Sequence, residues 1–146
     1  MPTRSSKATI LVVDDEVSLR QMLVRQLRSE GYNVVEAGYG LEALAVARSS
    51  LEPIDLVLSD IVMPGMIGTE LAQRLLAEHP GIRVVLMSAH TLDPLVDPSG
   101  RPGSVPVLAK PFEGHKMLAL VELTLNTTRG LADQSTAGLA PSGDQP

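Results

Sequence analysis

Five short apolar runs punctuate the chain: Ala8–Val13, Asn33–Ala37, Ile54–Ser59, Ile82–Met87 and Val105–Ala109. Most are continuous rather than alternating, which is the pattern of parallel strands covered on both faces. The segments between them carry helical spacing. Leu19, Leu23 and Leu27 recur at four-residue steps, and Gly31 follows as a stop signal. Leu41, Leu44 and Ala47 recur at three-residue steps, and Leu71 and Leu75 share a face before His79, Pro80 and Gly81. Beyond Phe112, a last stripe is formed by Leu118, Val121 and Leu125. Strands alternating with helices predict an α/β fold with a parallel sheet and right-handed crossovers.

The alternation weakens once. From Ser88 to Phe112 the chain holds Pro94, Pro98, Pro102, Pro106 and Pro111, with Gly100 and Gly103 between them. By composition this reads as a linker. A helix is due between Thr91 and Ser104, to cross from the fourth strand to the fifth, but Pro98 and Pro102 each remove a helical hydrogen bond and clash with the preceding turn. At most one turn survives there, Pro94–Asp97, with Asp93 as its cap. The length of 146 residues suits one domain with tails. Residues 1–7 read as a disordered arm and residues 8–128 as the domain. From Arg129 onward, "RGLADQSTAGLAPSGDQP" is small, polar and rich in Pro and Gly, and reads as a disordered tail.

Composition narrows the function classes. Hydrophobic residues make up 44% of the chain, but with two Tyr, one Phe and no Trp the core must be aliphatic. The absence of Cys excludes disulfides, thiolate metal sites and a Cys nucleophile. A formal charge of −5 argues against direct nucleic-acid binding, which needs a basic face. Apolar runs of five or six residues are far short of a membrane span. No apolar signal core follows the basic start, so a cytoplasmic protein is expected.

The chemistry lies at the strand ends. The first strand ends in Asp14, Asp15 and Glu16, the third in Asp60, the fourth in Ser88 and the fifth in Lys110. In an open parallel sheet, ligands bind beyond the carboxyl ends of the strands, where the strand order reverses. If the first and third strands are neighbours, the three aspartates crowd together there, flanked by Ser88 and Lys110. Their repulsion calls for a hard divalent cation, and Mg²⁺ takes a few carboxylates together with water and phosphate oxygens. A lysine supplies a point charge for a phosphate oxygen, and an aspartate can itself be the nucleophile that forms an aspartyl phosphate. Metal, nucleophile, hydroxyl and cation together suit phosphoryl transfer onto a carboxylate. Each piece alone is ordinary: a doubled Asp is usually a solvated turn, and a Ser at a strand end is commonly a cap. The signal lies in all of them falling at strand ends of one polarity.

"ILVVDDE", "DLVLSDIVMPGMIG", "VVLMSA" and "LAKPF" resemble the receiver domain of two-component response regulators, over roughly Thr9 to Thr128. The wording from Val62 to Thr91 is similar to receivers attached to hybrid sensor kinases. The resemblance implies a flavodoxin-like, doubly wound five-stranded parallel sheet of order 2-1-3-4-5, here with a shortened or disordered fourth helix. It implies that Asp60 accepts a phosphoryl group from a phosphohistidine on a histidine kinase or histidine phosphotransfer protein. Asp15 and Asp60 would bind Mg²⁺ directly, with the main-chain carbonyl of Val62 as a further ligand and Asp14 acting partly through water. Lys110 would pair with the acyl phosphate, Ser88 would hydrogen-bond a phosphoryl oxygen, and the Lys110–Pro111 bond would be cis. The implied role is a signalling switch in a phosphorelay. It is not an enzyme beyond self-catalysed transfer and autodephosphorylation, and nothing in the sequence fixes an oligomeric state.

Two features depart from the family's common pattern. Many receivers carry an aromatic switch residue three places before the lysine; here that place is Val107, and no aromatic lies between Tyr39 and Phe112. The other is the proline-broken crossover. Val62 and His90 lie close to the expected phosphorylation site and are candidates for tuning its lifetime. His79 and His115 read as surface helix positions. The competing reading is an interaction module with this fold and no phosphorylation. The intact set Asp14, Asp15, Asp60, Ser88 and Lys110 argues against it.

Overall fold

A computed structural model describes residues 8–89 and 105–139, with side chains as far as Asn126 in the last helix. The elements run β1 (Thr9–Val13), α1 (Val17–Ser29), β2 (Asn33–Ala37), α2 (Gly40–Ser49), β3 (Leu56–Asp60), α3 (Gly68–Glu78), β4 (Arg83–Ser88), β5 (Val107–Ala109) and α4 (Gly114–Leu139). The five strands form one sheet in the order β2-β1-β3-β4-β5, with every pairing parallel. The β3 strand begins and ends later than its apolar run suggests, and reaches Asp60 itself.

Continuous apolar strands are explained by burial on both faces. All five residues of β1 are buried, as are all five of β3. Alternate side chains point to opposite faces. Leu11, Val13 and Val57 join Ala43, Leu44 and Ala47 of α2 and Leu71, Ala72 and Leu75 of α3 on one side. Ile10, Val12, Leu56 and Leu58 join Leu23, Val24 and Leu27 of α1 and Met117, Val121 and Leu125 of α4 on the other. The order requires this division. The chain moves outward from β1 to β2, then returns past β1 to β3, so right-handed crossovers place α1 on one face and α2 and α3 on the other. The reversal lies between β1 and β3, beyond whose carboxyl ends a crevice opens.

Several details differ from the sequence reading. Leu41 is 63% exposed, and the buried stripe of α2 is Ala43, Leu44 and Ala47. The period of three placed Leu41 on the core face, but helix geometry turns it toward solvent. Val107, at the place of the missing aromatic, sits on edge strand β5 and is 36% exposed. The backbone of α4 continues to Leu139, past Arg129, where the sequence reading places a disordered tail. No proline occurs between Gly114 and Leu139, and Ala, Leu and Gln favour the helix despite Gly130. The arm at 1–7, the crossover from Thr91 to Ser104, His90 and residues 140–146 lie outside the described residues. So does the expected shortening of the crossover helix.

Candidate phosphoacceptor site

The three aspartates meet at the crevice. One ligand oxygen from each of Asp14, Asp15 and Asp60 lies within 4.8 Å of the other two. The β1–β3 pairing sets this up, because Val13 is in register with Ser59, which places Asp14 beside Asp60. Asp14 is fully buried, Asp60 is 9% exposed and Asp15 is exposed. Both oxygens of Asp14 are engaged. Oδ1 accepts from the main-chain N–H of Glu16 at 2.8 Å, and Oδ2 accepts from Lys110 Nζ at 3.1 Å. The same Lys110 ammonium donates to Asp60 Oδ2 at 3.1 Å.

The two ends of the proline-rich stretch do meet. Lys110 N–H donates to the carbonyl of Ser88 at 2.7 Å, and Ser88 pairs with Ala109 across β4 and β5. Ser88 is buried at the end of β4, next to β3, and Lys110 follows β5. The Lys110–Pro111 bond is cis. The structure therefore brings together the side chains of Asp14, Asp15, Asp60 and Lys110, and places Ser88 at the neighbouring strand end, bonded to Lys110 through its main chain. Val62, two residues beyond Asp60, is 62% exposed, and its main-chain N–H donates to the Asp60 carboxylate. His79 is a correction: it caps the end of α3, half-buried, with its Nε2 buried and unpartnered among the described residues. His115 is exposed, as expected.

The electrostatics follow from burial. Desolvation pushes the Asp60 carboxyl above the usual carboxylate range, and the negative charge of Asp14 adds to this. Lys110 and a main-chain hydrogen bond from Val62 pull the other way without winning. Burial works against the charge on Lys110. Its hydrogen bond to Asp14 and the negative charges of Asp14 and Asp60 outweigh that, and raise the lysine pKa. Lys110 is thus firmly a cation, and it offsets one of three carboxylates. Two formal negative charges remain, matching one divalent cation. An oxygen-only donor set suits a hard ion. A spread of 4.8 Å is also close to the roughly 4 Å between opposed ligands at Mg²⁺–oxygen bonds of about 2.1 Å. The residues fit Mg²⁺.

The loop after β3 is shaped by glycine. Gly65 has φ +83°, in the left-handed region. Gly68 N–H donates to the Ile61 carbonyl at 2.7 Å, and a Cβ on Gly68 would strike the main chain of Asp60 and Ile61. The start of α3 therefore lies directly against the backbone that carries Asp60. Beside Lys110, a groove of about 660 Å³ runs along Glu16, Leu19, Met22, Ala89 and Phe112. Sequence reasoning passed over Arg20. Its Nη1 donates to the Asp14 carbonyl at 2.8 Å and its Nε to Glu36 at 2.8 Å. A lone arginine on a helix carries no signal of such a role in one sequence.

Comparison with known proteins agrees with this geometry. Residues 10–122 match the family described as Response regulator receiver domain. The sensor kinase CckA of Brucella abortus is 36% identical over 118 residues, which are 81% of this chain and 12% of that kinase. The sporulation initiation phosphotransferase F of Bacillus subtilis is 36% identical over 104 residues, 71% of this chain and 82% of that protein. Among solved structures, a CheY-like receiver domain protein from Methanospirillum hungatei superposes with a TM-score of 0.75 at 27% identity. The match covers 86% of this chain and 98% of that one. The chain thus spans nearly all of some relatives and a small part of others.

Proposed function

The chain belongs to the response regulator receiver domain family, and from that premise we propose that Asp60 is its phosphoacceptor, loaded from a phosphohistidine. The observation that carries this reading is the Lys110 ammonium held at 3.1 Å from both Asp14 and Asp60, with Asp15 closing the acidic triangle. An Asp60 oxygen attacks the phosphorus, the nitrogen–phosphorus bond breaks, and the imidazole leaves as the electron pair returns to its nitrogen. The product is an acyl phosphate on Asp60. Asp15, Asp60 and the Val62 carbonyl would hold Mg²⁺, with Asp14 acting partly through water. Mg²⁺ supplies positive charge for the phosphoryl oxygens.

This chain's own residues do the rest. Lys110, already cationic between two carboxylates, turns to a phosphoryl oxygen when Asp60 is phosphorylated. Ser88, beside it, supplies a hydroxyl. Water later hydrolyses the acyl phosphate and resets the site, so the protein acts as a timed switch rather than a turnover catalyst. The donor is a histidine kinase or a histidine phosphotransfer protein. The absence of a membrane-crossing helix among the described residues suits a cytoplasmic place in such a relay. Timed transfer from purified phosphorylated histidine donors tests the reading. Phosphoryl loss from the donor should match gain on this chain, only with Mg²⁺ present. Donors that keep their label, with the chain folded and Mg²⁺ at saturation, would overturn it in favour of an interaction module.

A further inference from the structure

The turn after β1 is pinned from below by a side chain of the helix it opens. Arg20 lies in the first turns of α1, and its side chain is 17% exposed. Its guanidinium serves two acceptors at once: the Asp14 carbonyl at 2.8 Å and Glu36 Oε1 at 2.8 Å. The same Glu36 oxygen accepts from Gln21 Nε2 at 3.1 Å, which fixes the glutamate on its strand. Gly38 leaves room for the guanidinium; a Cβ there would lie 3.2 Å from Arg20 Nη1. On the other side of Asp14, its N–H donates to the Ala37 carbonyl at 3.2 Å. The peptide units before and after Asp14 are therefore both held by hydrogen bonds, the second by Arg20.

That second unit joins Asp14 to Asp15. The Asp14 side chain needs no such help, because burial, Glu16 N–H and Lys110 already fix it. Asp15 is different. Its side chain is exposed, so the backbone decides where it points. We propose that Arg20 is a positioning residue for Asp15, orienting it as a Mg²⁺ ligand, and that Glu36 holds Arg20 in place. The inference rests on the reading of this site as a Mg²⁺-dependent phosphoacceptor. Glu36 has a second effect. An unpaired guanidinium beside the acidic triangle would oppose a dication, and the carboxylate of Glu36 offsets it. A planar fork with two donors in fixed directions is what the arrangement needs, and a lysine ammonium cannot reproduce it.

The test separates position from charge. Removing Arg20 alone also removes a cation, which by itself would strengthen Mg²⁺ binding. The double variant Arg20→Met with Glu36→Met leaves net charge unchanged. Its Mg²⁺ affinity, titrated with no phosphoryl donor present, should fall by roughly tenfold or more, the usual cost of losing a group that orients a metal ligand. Arg20→Lys should fall between the double variant and wild type, and its titration stands in if the double variant does not fold in EDTA. At saturating Mg²⁺, the labelling rate of both should return to near wild type, whereas a merely structural defect would depress affinity and rate together. If wild type binds Mg²⁺ and both variants match it within about twofold, the inference falls alone. If wild type binds no Mg²⁺, the function reading falls and takes the inference with it.

Discussion

Lys110 is the only cation paired with the acidic triangle among the described residues, so its removal measures how strongly the site is charge-strained. In Lys110→Met the long apolar stem is kept and the ammonium is lost. Two contacts of 3.1 Å disappear, leaving Asp14 with a fully buried side chain and Asp60 with one 13% exposed. Stranding a buried carboxylate by removing its partner costs about 3–5 kcal/mol. The lower end applies, since Asp60 can escape by taking up a proton. At about 3 kcal/mol, the expected fall in Tm is on the order of 10 °C for a domain of this size. The loss should depend on pH. Without the lysine, the already raised Asp60 pKa climbs further. The native state then holds a proton that the unfolded state has released, and stability drops as pH rises through that window. Urea unfolding in EDTA at about pH 5 and about pH 8 reads both effects, with the larger loss expected at the higher pH. Saturating Mg²⁺ should recover most of it. A loss below about 0.5 kcal/mol, the scale of an ordinary surface change, would refute the argument. So would an equal loss at the two pH values.

The raised pKa of Asp60, caused first by desolvation, gives a second prediction. The stability linked to its proton is full below the ordinary carboxylate range and is lost as pH rises through the raised value. Asp60→Asn should therefore be more stable than wild type at neutral pH in EDTA, by on the order of 1 kcal/mol, with the gap closing in acid. A less stable Asn variant in neutral thermal melts would contradict this. Gly68→Ala drives a Cβ into the Asp60 carbonyl and to 2.9 Å from Ile61 Cα, both backbone, and should cost about 2–3 kcal/mol. Gly40→Ala has its nearest contacts with the Met66 side chain, whose Sδ at 2.7 Å can swing aside although its Cβ at 2.9 Å cannot, and should cost less than a clash with two backbone segments. The reverse ranking by denaturant midpoints would show the loop after β3 to be softer than its packing implies. Val62→Asn places a polar side chain two residues beyond Asp60, at a position 62% exposed, and should change the lifetime of the acyl phosphate. Equal dephosphorylation rates in wild type, Val62→Asn and His90→Ala would remove both residues from that role.

Much of the fold was legible because burial on both faces forces continuous apolar strands, and the runs at Ile54–Ser59 and Ile82–Met87 have no other reading in a chain with interleaved helical stripes. The site was legible because its residues are attached to strand ends. Asp14, Asp60, Ser88 and Lys110 each follow an apolar run, so their polarity along the sheet could be read without coordinates. Strand order was less accessible: nothing local in Ala8–Val13 says that β3, rather than β5, lies beside it. Leu41 misled because a period of three drifts off the true helical repeat within two turns. Arg20 and Glu36 were invisible for a different reason. Their pairing spans 16 positions, and on a helix and an edge strand such charges look like solvated ones until the structure places the Arg20 guanidinium between Glu36 and the Asp14 carbonyl.

In the proposed function Asp60 itself receives the phosphoryl group. The most direct measurement is incubation with acetyl phosphate and Mg²⁺, followed by intact mass and by the mass of the peptide carrying Asp60. One phosphoryl group is expected on that peptide, labile to hydroxylamine and absent from Asp60→Asn. Stoichiometric hydroxylamine-labile labelling of a folded Asp60→Asn, or an unlabelled wild type at saturating Mg²⁺, would contradict it.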